Sequence, residues 1–244
     1  MMLDPDQASR SATTHTPLPG AVRNALGSPH ALQILTTEHW SLLASRSFVY
    51  TEAMSRTGIF IASLTGSVVA LALVGQATDF GDAFVAFALV LLPVVFFLGV
   101  VTIVRLSQVN FEDAVWVQGM NRIRNAYLEL APELEPYFVT SKHDDPEGIL
   151  ASSLAGQRVV PPFQAFVAIP GVVAVLDSVV AGATAAVAGL GFGLETAGAV
   201  VLGAVTFVAA LGAFVAFGVR AISAYQRDLV VRFPSPPGAD TLWR

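Results

Sequence analysis

The sequence predicts an all-α polytopic membrane protein in which four transmembrane helices form two hairpins with long cytoplasmic helical extensions. Of the 244 residues, 54% are hydrophobic and only 13% are charged, whereas soluble domains average about 25% charged residues. Four apolar stretches also reach the roughly 17–25 residues that a helix needs to cross a bilayer. These stretches are residues 58–74, 84–104, 163–187 and 198–219.

The composition excludes several classes of protein. The chain contains no cysteine, which excludes disulfides, thiol catalysis and cysteine metal sites. Its net charge is −5, which argues against a nucleic-acid-binding protein because such proteins attract the phosphate backbone with a basic surface. The sequence carries no Ser-His-Asp set, HExxH helix or glycine-rich phosphate loop. We therefore expect a lipid bilayer as its surroundings and predict no enzyme activity, no cofactor and no metal.

Charge and length predict the orientation in the membrane. All 13 Lys and Arg residues lie outside the two short connections at residues 76–83 and 188–197. Because cytoplasmic segments carry an excess of Lys and Arg, we expect both connections outside the cell membrane. The two termini and the long middle segment are then cytoplasmic. The first 29 residues contain no apolar core of the signal-peptide type.

The chain is expected to divide into five segments. They are a flexible N-terminal tail, a helix with the first hairpin and a stalk helix, a linker with a short helix, the second hairpin with a C-terminal helix, and a tail. Their boundaries are 1–29, 30–137, 138–162, 163–231 and 232–244.

Beyond the second span, apolar residues recur at alternating spacings of three and four, which is typical of a helix that packs against other helices. We predict that this seam continues the second span as one helix, which Pro132 and Pro136 end. We also predict a homo-oligomer, since a helical stalk needs a partner for its seam. The alternatives are a segment on the lipid surface and a docking groove for a cytoplasmic protein. The residues assigned to the oligomer stalk are Trp116, Met120, Ile123, Tyr127 and Leu130.

An acidic cluster in the linker has two interpretations. His143, Asp144, Asp145 and Glu147 are residue types that bind metals, but adjacent residues rarely converge on one ion. Alternatively, Asp145 caps a short helix that begins at Pro146, with Glu147 near its positive end. We favour the cap.

Asp177 is the one ionisable residue in the third span, about 15 Å from its outer end, and no span contains Lys, Arg or His. Placing Asp at the bilayer centre costs on the order of 3 kcal/mol. In one interpretation Asp177 is neutral and hydrogen-bonded to Thr206 or a backbone carbonyl. In the other, it is a proton site, or part of a ring of Asp residues, that lines a conducting path in an oligomer.

Small and hydroxylated residues predict close helix packing. On the first span, Ser63 and Ser67 share a face, which indicates either tight packing or a polar pore wall. Thr184 lies on the Asp177 face. The predicted facing stripes are Ala174, Asp177, Ala181, Thr184 and Ala188 on the third span and Ala199, Gly203, Thr206, Ala210 and Ala213 on the fourth.

The motif LQILTTEHWSLLASRS, followed by a hairpin and a long helix that ends in YFVTSKHDD, resembles a family of uncharacterised bacterial multi-span integral membrane proteins. The resemblance covers residues 31–150 and implies no activity. In layout, the first half is similar to the SLATT two-span effectors. That similarity implies membrane perturbation in bacterial conflict, although the second hairpin departs from the two-span plan.

Two functions follow as expectations. The first is a homo-oligomeric ion channel or pore in which Asp177, with Thr184 and Thr206, determines what passes. The second is a non-conducting membrane scaffold, or a sensor or effector, that acts through its cytoplasmic stalk.

Overall fold

The computed structural model describes residues 26–153 and 169–236. The predictions for the N-terminal tail before residue 26, for residues 154–168 of the linker and third span, and for the tail after residue 236 lie outside these residues. Within the described ranges all regular structure is helical, as predicted. The helices are α1 (Pro29–Ala77), α2 (Asp82–Leu130), a 3-10 helix (Pro132–Tyr137), α3 (Pro146–Ser153), α4 (Ile169–Gly191) and α5 (Thr196–Asp228).

Four of these helices, α1, α2, α4 and α5, are long and apolar enough to cross a membrane. The chain also divides into two compact units. The first comprises Met1–Leu43, Val117–Gly156 and Val231–Arg244, and the second comprises Ala44–Trp116 and Gln157–Val230. The first unit therefore contains the acidic cluster, and the second unit contains the apolar part of each long helix.

Local sequence determines where α1 and α2 end. The Asp79 backbone has a φ of 48°, and the Phe80 amide donates to the Gly75 carbonyl at 2.9 Å, which is the left-handed cap typical of a helix C-terminus. The exposed Phe80 ring lies on Gly75, where a Cβ would make the ring rotate away. The helix α2 runs unbroken through the predicted seam and ends at Leu130, before Pro132. This end confirms the prediction.

The core of the second unit is made by α1, α2 and α4. Its buried residues include Phe60 from α1, Ala88 and Leu92 from α2, and Val173 and Val180 from α4. Most other apolar side chains of the long helices point outward. Val90 is 71% exposed and Val208 is 66% exposed, so the packing within the chain leaves a large apolar surface uncovered.

Ion pairs join α1 to α2 beside this core. Arg46 lies 2.7 Å from Asp113, and Arg105 lies 2.9 Å from both Glu52 and Glu112. From Arg46 to Glu52 the residue numbers rise along α1, whereas those of their partners fall from Asp113 to Arg105 along α2. The two helices are therefore antiparallel. Hydrogen bonds from Arg105 and then Arg56 lower the pKa of Glu52 to about 2. The contribution of this group to stability is therefore present above the ordinary glutamate pKa and is lost as the pH falls toward 2.

A glycine-capped turn connects α4 to α5. Gly193 has a φ of 83°, and the Leu194 amide donates to the Gly189 carbonyl at 2.9 Å. This is a Schellman motif, which glycine favours because it has no Cβ to strain the left-handed conformation.

The first unit packs the beginning of α1 against the end of α2. The Leu42 side chain lies on Gly119, where a Cβ would come within 2.9 Å of it. One turn earlier on α1, the His39 ring stacks on Tyr127 with 6.1 Å between ring centroids. Burial, and secondarily the charge of Arg124, lower the pKa of His39. The neutral ring is thus the form that the packed unit favours.

Candidate functional site

Asp177 lies on the face of α4 that packs against α2. Its side chain is 0% exposed, and its carboxyl group lies directly on Gly99. A Cβ at residue 99 would overlap the Asp177 carboxyl, so the contact depends on a glycine at this point of α2. Sequence reasoning singled out Asp177 but missed Gly99, because nothing in a helical sequence pattern shows which residue of another helix a side chain meets.

The described residues supply no hydrogen-bond partner to the Asp177 carboxyl. Neither oxygen accepts or donates a hydrogen bond within residues 26–153 and 169–236. The adjacent Ser178 hydroxyl is also buried, but it donates to the Ala174 carbonyl at 2.7 Å. A buried polar group without a partner costs on the order of 1–3 kcal/mol. Such groups therefore point to strain or to a function.

The expected hydrogen bond between Asp177 and Thr206 is not formed. The Thr206 hydroxyl donates instead to the Leu202 carbonyl at 2.8 Å, and the Thr184 hydroxyl donates to the Val180 carbonyl at 2.7 Å. On α1, the Ser67 hydroxyl donates to the Ser63 carbonyl at 2.7 Å. Each of these three hydroxyls donates to a backbone carbonyl of its own helix, and none forms a hydrogen bond with the Asp177 carboxyl.

The face of α4 that meets α5 is a different one from the predicted stripe. A Cβ on Gly182 would lie 2.8 Å from the Gly203 carbonyl oxygen, and one on Gly203 would lie 3.0 Å from the Ala186 Cβ. Gly182 and Asp177 are five residues apart, or about 140° around a helix of 3.6 residues per turn. Close packing of small residues is thus confirmed, with Ala199 and Gly203 on α5 as predicted. The partners on α4 are Gly182, Ala186 and Gly189, so the predicted pairing with the Asp177 face was wrong.

A cavity of about 450 Å³ lies between α2, α4 and α5. Its lining includes Ile103, one turn beyond Gly99, and Ala174, one turn before Asp177. The lining is largely apolar, and the polar side chains in it are Ser107 and Asn110 of α2. The cavity therefore extends from the vicinity of Asp177 toward the polar part of α2.

The five residues assigned to an oligomer stalk are largely occupied within the chain. Met120 and Ile123 are buried, Tyr127 is stacked on His39, and Trp116 packs against the hydrophobic core of the second unit. Leu130 is partly buried at the end of α2. Association of copies through these residues stays a prediction.

One residue of the acidic cluster, Asp145, is a helix cap. The Asp145 carboxyl accepts the Gly148 amide at 2.8 Å at the start of α3, which confirms the predicted cap. Asp144 was not assigned a separate role from the sequence, yet it is 0% exposed and lies 2.7 Å from Arg122. No signal in the local sequence could have found this role, because most of its partners are distant along the chain.

Comparison with protein-family models finds no match for this chain, and neither does comparison with curated proteins or with solved structures. A single carboxyl group in apolar surroundings can hold one proton. Ca²⁺ takes six to eight oxygen ligands and Mg²⁺ takes six, which this carboxyl cannot supply alone.

Proposed function

We propose that this chain is an integral membrane protein that crosses the bilayer four times, as two hairpins, with both termini in the cytoplasm. The four long apolar helices support this proposal, as do valines that are 60–71% exposed on them, such as Val90, Val205 and Val208. Contiguous apolar surface of this kind is unfavourable in water and favourable in lipid. The lack of Lys and Arg in the two short connections supports the orientation.

Labelling of a single cysteine tests this orientation, because the natural chain has none. Glu147 is exposed on α3, so Glu147→Cys should react with a membrane-impermeant thiol reagent in opened cells and not in intact cells. A cysteine at Phe192, which is 89% exposed between α4 and α5, should show the opposite pattern. Labelling of Glu147→Cys from outside intact cells would overturn the orientation.

Within this membrane protein, Asp177 is the group that binds and releases a proton during proton movement across the bilayer. The observation that carries the proposal is the Asp177 carboxyl, fully buried on Gly99 with no hydrogen-bond partner in the described part of the chain. An ionisable side chain at such a position is expensive to maintain and typical of ion and proton pathways. A protonated carboxyl is neutral, so it can occupy apolar surroundings at lower cost than a carboxylate.

The cavity beside Asp177 supports a route for the proton. Its polar residues, Ser107 and Asn110, lie on the stretch of α2 that follows the predicted span, and its apolar wall reaches the turn next to Asp177. Apolar walls admit water only transiently, as in hydrophobic gates. Asp177 is enclosed by its own chain. The proposed proton path therefore lies within a single chain, and it differs in this from a pore lined by a ring of Asp residues from several chains.

Proton flux in liposomes tests the function. The wild-type chain should dissipate an imposed pH gradient, followed with an internal pH-sensitive dye, while a potassium ionophore balances charge. Asp177→Asn keeps the shape but holds no exchangeable acidic proton, and it should reduce the protein-dependent flux at least about tenfold. Ser178→Ala, which removes the neighbouring buried hydroxyl, is the matched control and should conduct like wild type.

Two outcomes would contradict proton conduction. One is wild-type liposomes that leak no faster than empty ones. The other is an Asp177→Asn protein that conducts as well as the wild type. The first outcome would favour the second candidate, a non-conducting scaffold or sensor. The observation that supports this candidate is the buried polar network around Asn121 and Asp144, which gives the first unit a specific structure outside the apolar spans.

A further inference from the structure

Two consecutive carboxylates hold the segment that follows α5, and this segment bends at Arg232 and Phe233. The amides of Arg232 and Phe233 donate to Asp144 at 3.0 and 2.7 Å. Both the amide and the hydroxyl of Ser235 donate to Asp145. In return, the Asp144 amide donates to the Phe233 carbonyl at 3.2 Å. Asp144 and Asp145 thus bind the segment 232–235 mainly through its backbone.

We call Asp144 and Asp145 the carboxylate cradle. Side chains of α2 hold it in place through bonds that do not involve the segment. Arg122 pairs with the Asp144 carboxylate at 2.7 Å, and the Gln118 amide donates to the Asp144 carbonyl at 3.0 Å. Asn121 donates to the carbonyls of His143 and Gly148. These bonds orient the loop before α3 so that both carboxylates point at the segment. A site preorganised in this way loses little entropy when a ligand binds.

The pattern of donors defines the ligand. Amides are used at positions 232, 233 and 235, and the position between them is Pro234, which has no amide to leave unsatisfied. Within the segment 232–235, the side chain seen to bond to a carboxylate is that of Ser235, whose hydroxyl donates to Asp145. Backbone amides bonded to a carboxylate are charge-assisted and strong. The site therefore fits a short peptide that bends at its first two residues and has proline third and serine fourth.

We propose that Asp144 and Asp145 form a recognition site for a short bent peptide segment. The site is filled here in cis by residues 232–235 and can exchange that segment for the same peptide supplied in trans. The attached segment has a high effective concentration because only residues 229–231 separate it from α5. It therefore outcompetes free peptide in the wild-type chain. Removing the amides of Arg232 and Phe233 vacates the Asp144 carboxylate and leaves the two bonds from Ser235 to Asp145 in place, so added peptide competes with a weakened segment.

The test uses the full-length chain with Arg232→Pro and Phe233→Pro, which deletes the two amides that Asp144 accepts. A fluorescent peptide with the sequence of residues 229–236 is added, and its anisotropy is measured. The vacated chain is the variant that carries Arg232→Pro and Phe233→Pro. We expect the vacated chain to bind this peptide at least about tenfold more tightly than the wild-type chain does. A control peptide with proline at the positions of residues 232 and 233 should not bind the vacated chain, and this control changes the peptide while the protein stays the same.

A protein-side comparison assigns the binding to the carboxylates. In the vacated chain, Asp144→Asn should weaken peptide binding at least about tenfold. Glu147→Gln removes the same charge from an exposed position and should leave binding unchanged. Equal binding of the native and the proline-substituted peptides would overturn the proposal. So would the absence of binding to a vacated chain whose circular dichroism and thermal unfolding match those of the wild type.

Discussion

Replacing Gly182 with valine is expected to destabilise the contact between α4 and α5 by at least about 2 kcal/mol. A Cβ at residue 182 would lie 2.8 Å from the Gly203 carbonyl oxygen and 3.2 Å from the Phe207 Cβ. The nearer atom belongs to the backbone, so no side-chain rotation can relieve the clash, and the two helices must separate. Thermal unfolding in detergent, followed by circular dichroism, measures the effect.

Gly212→Val is the matched control for this substitution. Gly212 lies in the same helix pair, on α5, but a Cβ there would meet no atom of residues 26–153 and 169–236 within 4 Å. The stability of the Gly212→Val variant should therefore equal or exceed that of the wild type, since valine is less flexible than glycine in the unfolded chain. If both valine variants lose the same stability, the effect comes from the loss of glycine itself, and the close approach of Gly182 to Gly203 is wrong.

Replacing Asn121 with leucine is expected to destabilise the first unit by about 3 kcal/mol. The Asn121 amide donates to the His143 carbonyl at 2.7 Å and to the Gly148 carbonyl at 3.1 Å, and its oxygen accepts from Ser152. Leucine fills a similar volume but neither donates nor accepts a hydrogen bond, so the His143 carbonyl, the Gly148 carbonyl and the Ser152 hydroxyl each lose one partner. The free energy of unfolding, measured by denaturant titration in detergent, gives the magnitude.

The control lies one turn further along α2. Asn125 is also buried, but its side-chain oxygen has no hydrogen-bond partner among the described residues. Asn125→Leu should therefore cost less than about 1 kcal/mol or stabilise the chain. Equal destabilisation by both leucine variants would show that the network around Asn121 contributes nothing specific.

Both pairs of variants bear on the proposals for function. Gly182 and Asp177 lie on different faces of α4, so Gly182→Val tests the packing of the helix pair without touching the carboxyl group. Asn121 orients the loop that carries Asp144, so a large effect of Asn121→Leu supports the preorganised cradle on which the peptide site depends. Neither pair, however, replaces the flux measurement on Asp177→Asn.

Several features of the fold could be predicted because they depend on neighbours along the chain. Four long apolar helices follow from composition and length. The end of α2 before Pro132 follows from the missing amide of proline, and the cap by Asp145 follows from its position before Pro146. In each case the interacting groups lie within a few residues of each other, so one sequence suffices to relate them.

The candidate site was predicted only in part. Asp177 was identified because a carboxyl group in an apolar span is costly wherever its helix packs. Its contact with Gly99 could not be predicted, and the hydrogen bond to Thr206, one of the alternatives weighed for it, is not formed. Helical periodicity indicates which residues share a face, but the rotation of one helix against another depends on the sum of all contacts between them.

By itself, the sequence determined that this chain is helical, that α2 ends before Pro132, and that Asp177 is an isolated ionisable group among apolar residues. Only the tertiary structure decided that Asp177 lies on Gly99, that Gly182 meets Gly203, and that Asp144 holds an amide 88 residues away. The physical reason is the range of the interactions. Helix formation and capping act over one or two turns, whereas the partner of a buried group is selected by packing between segments that are distant in the chain.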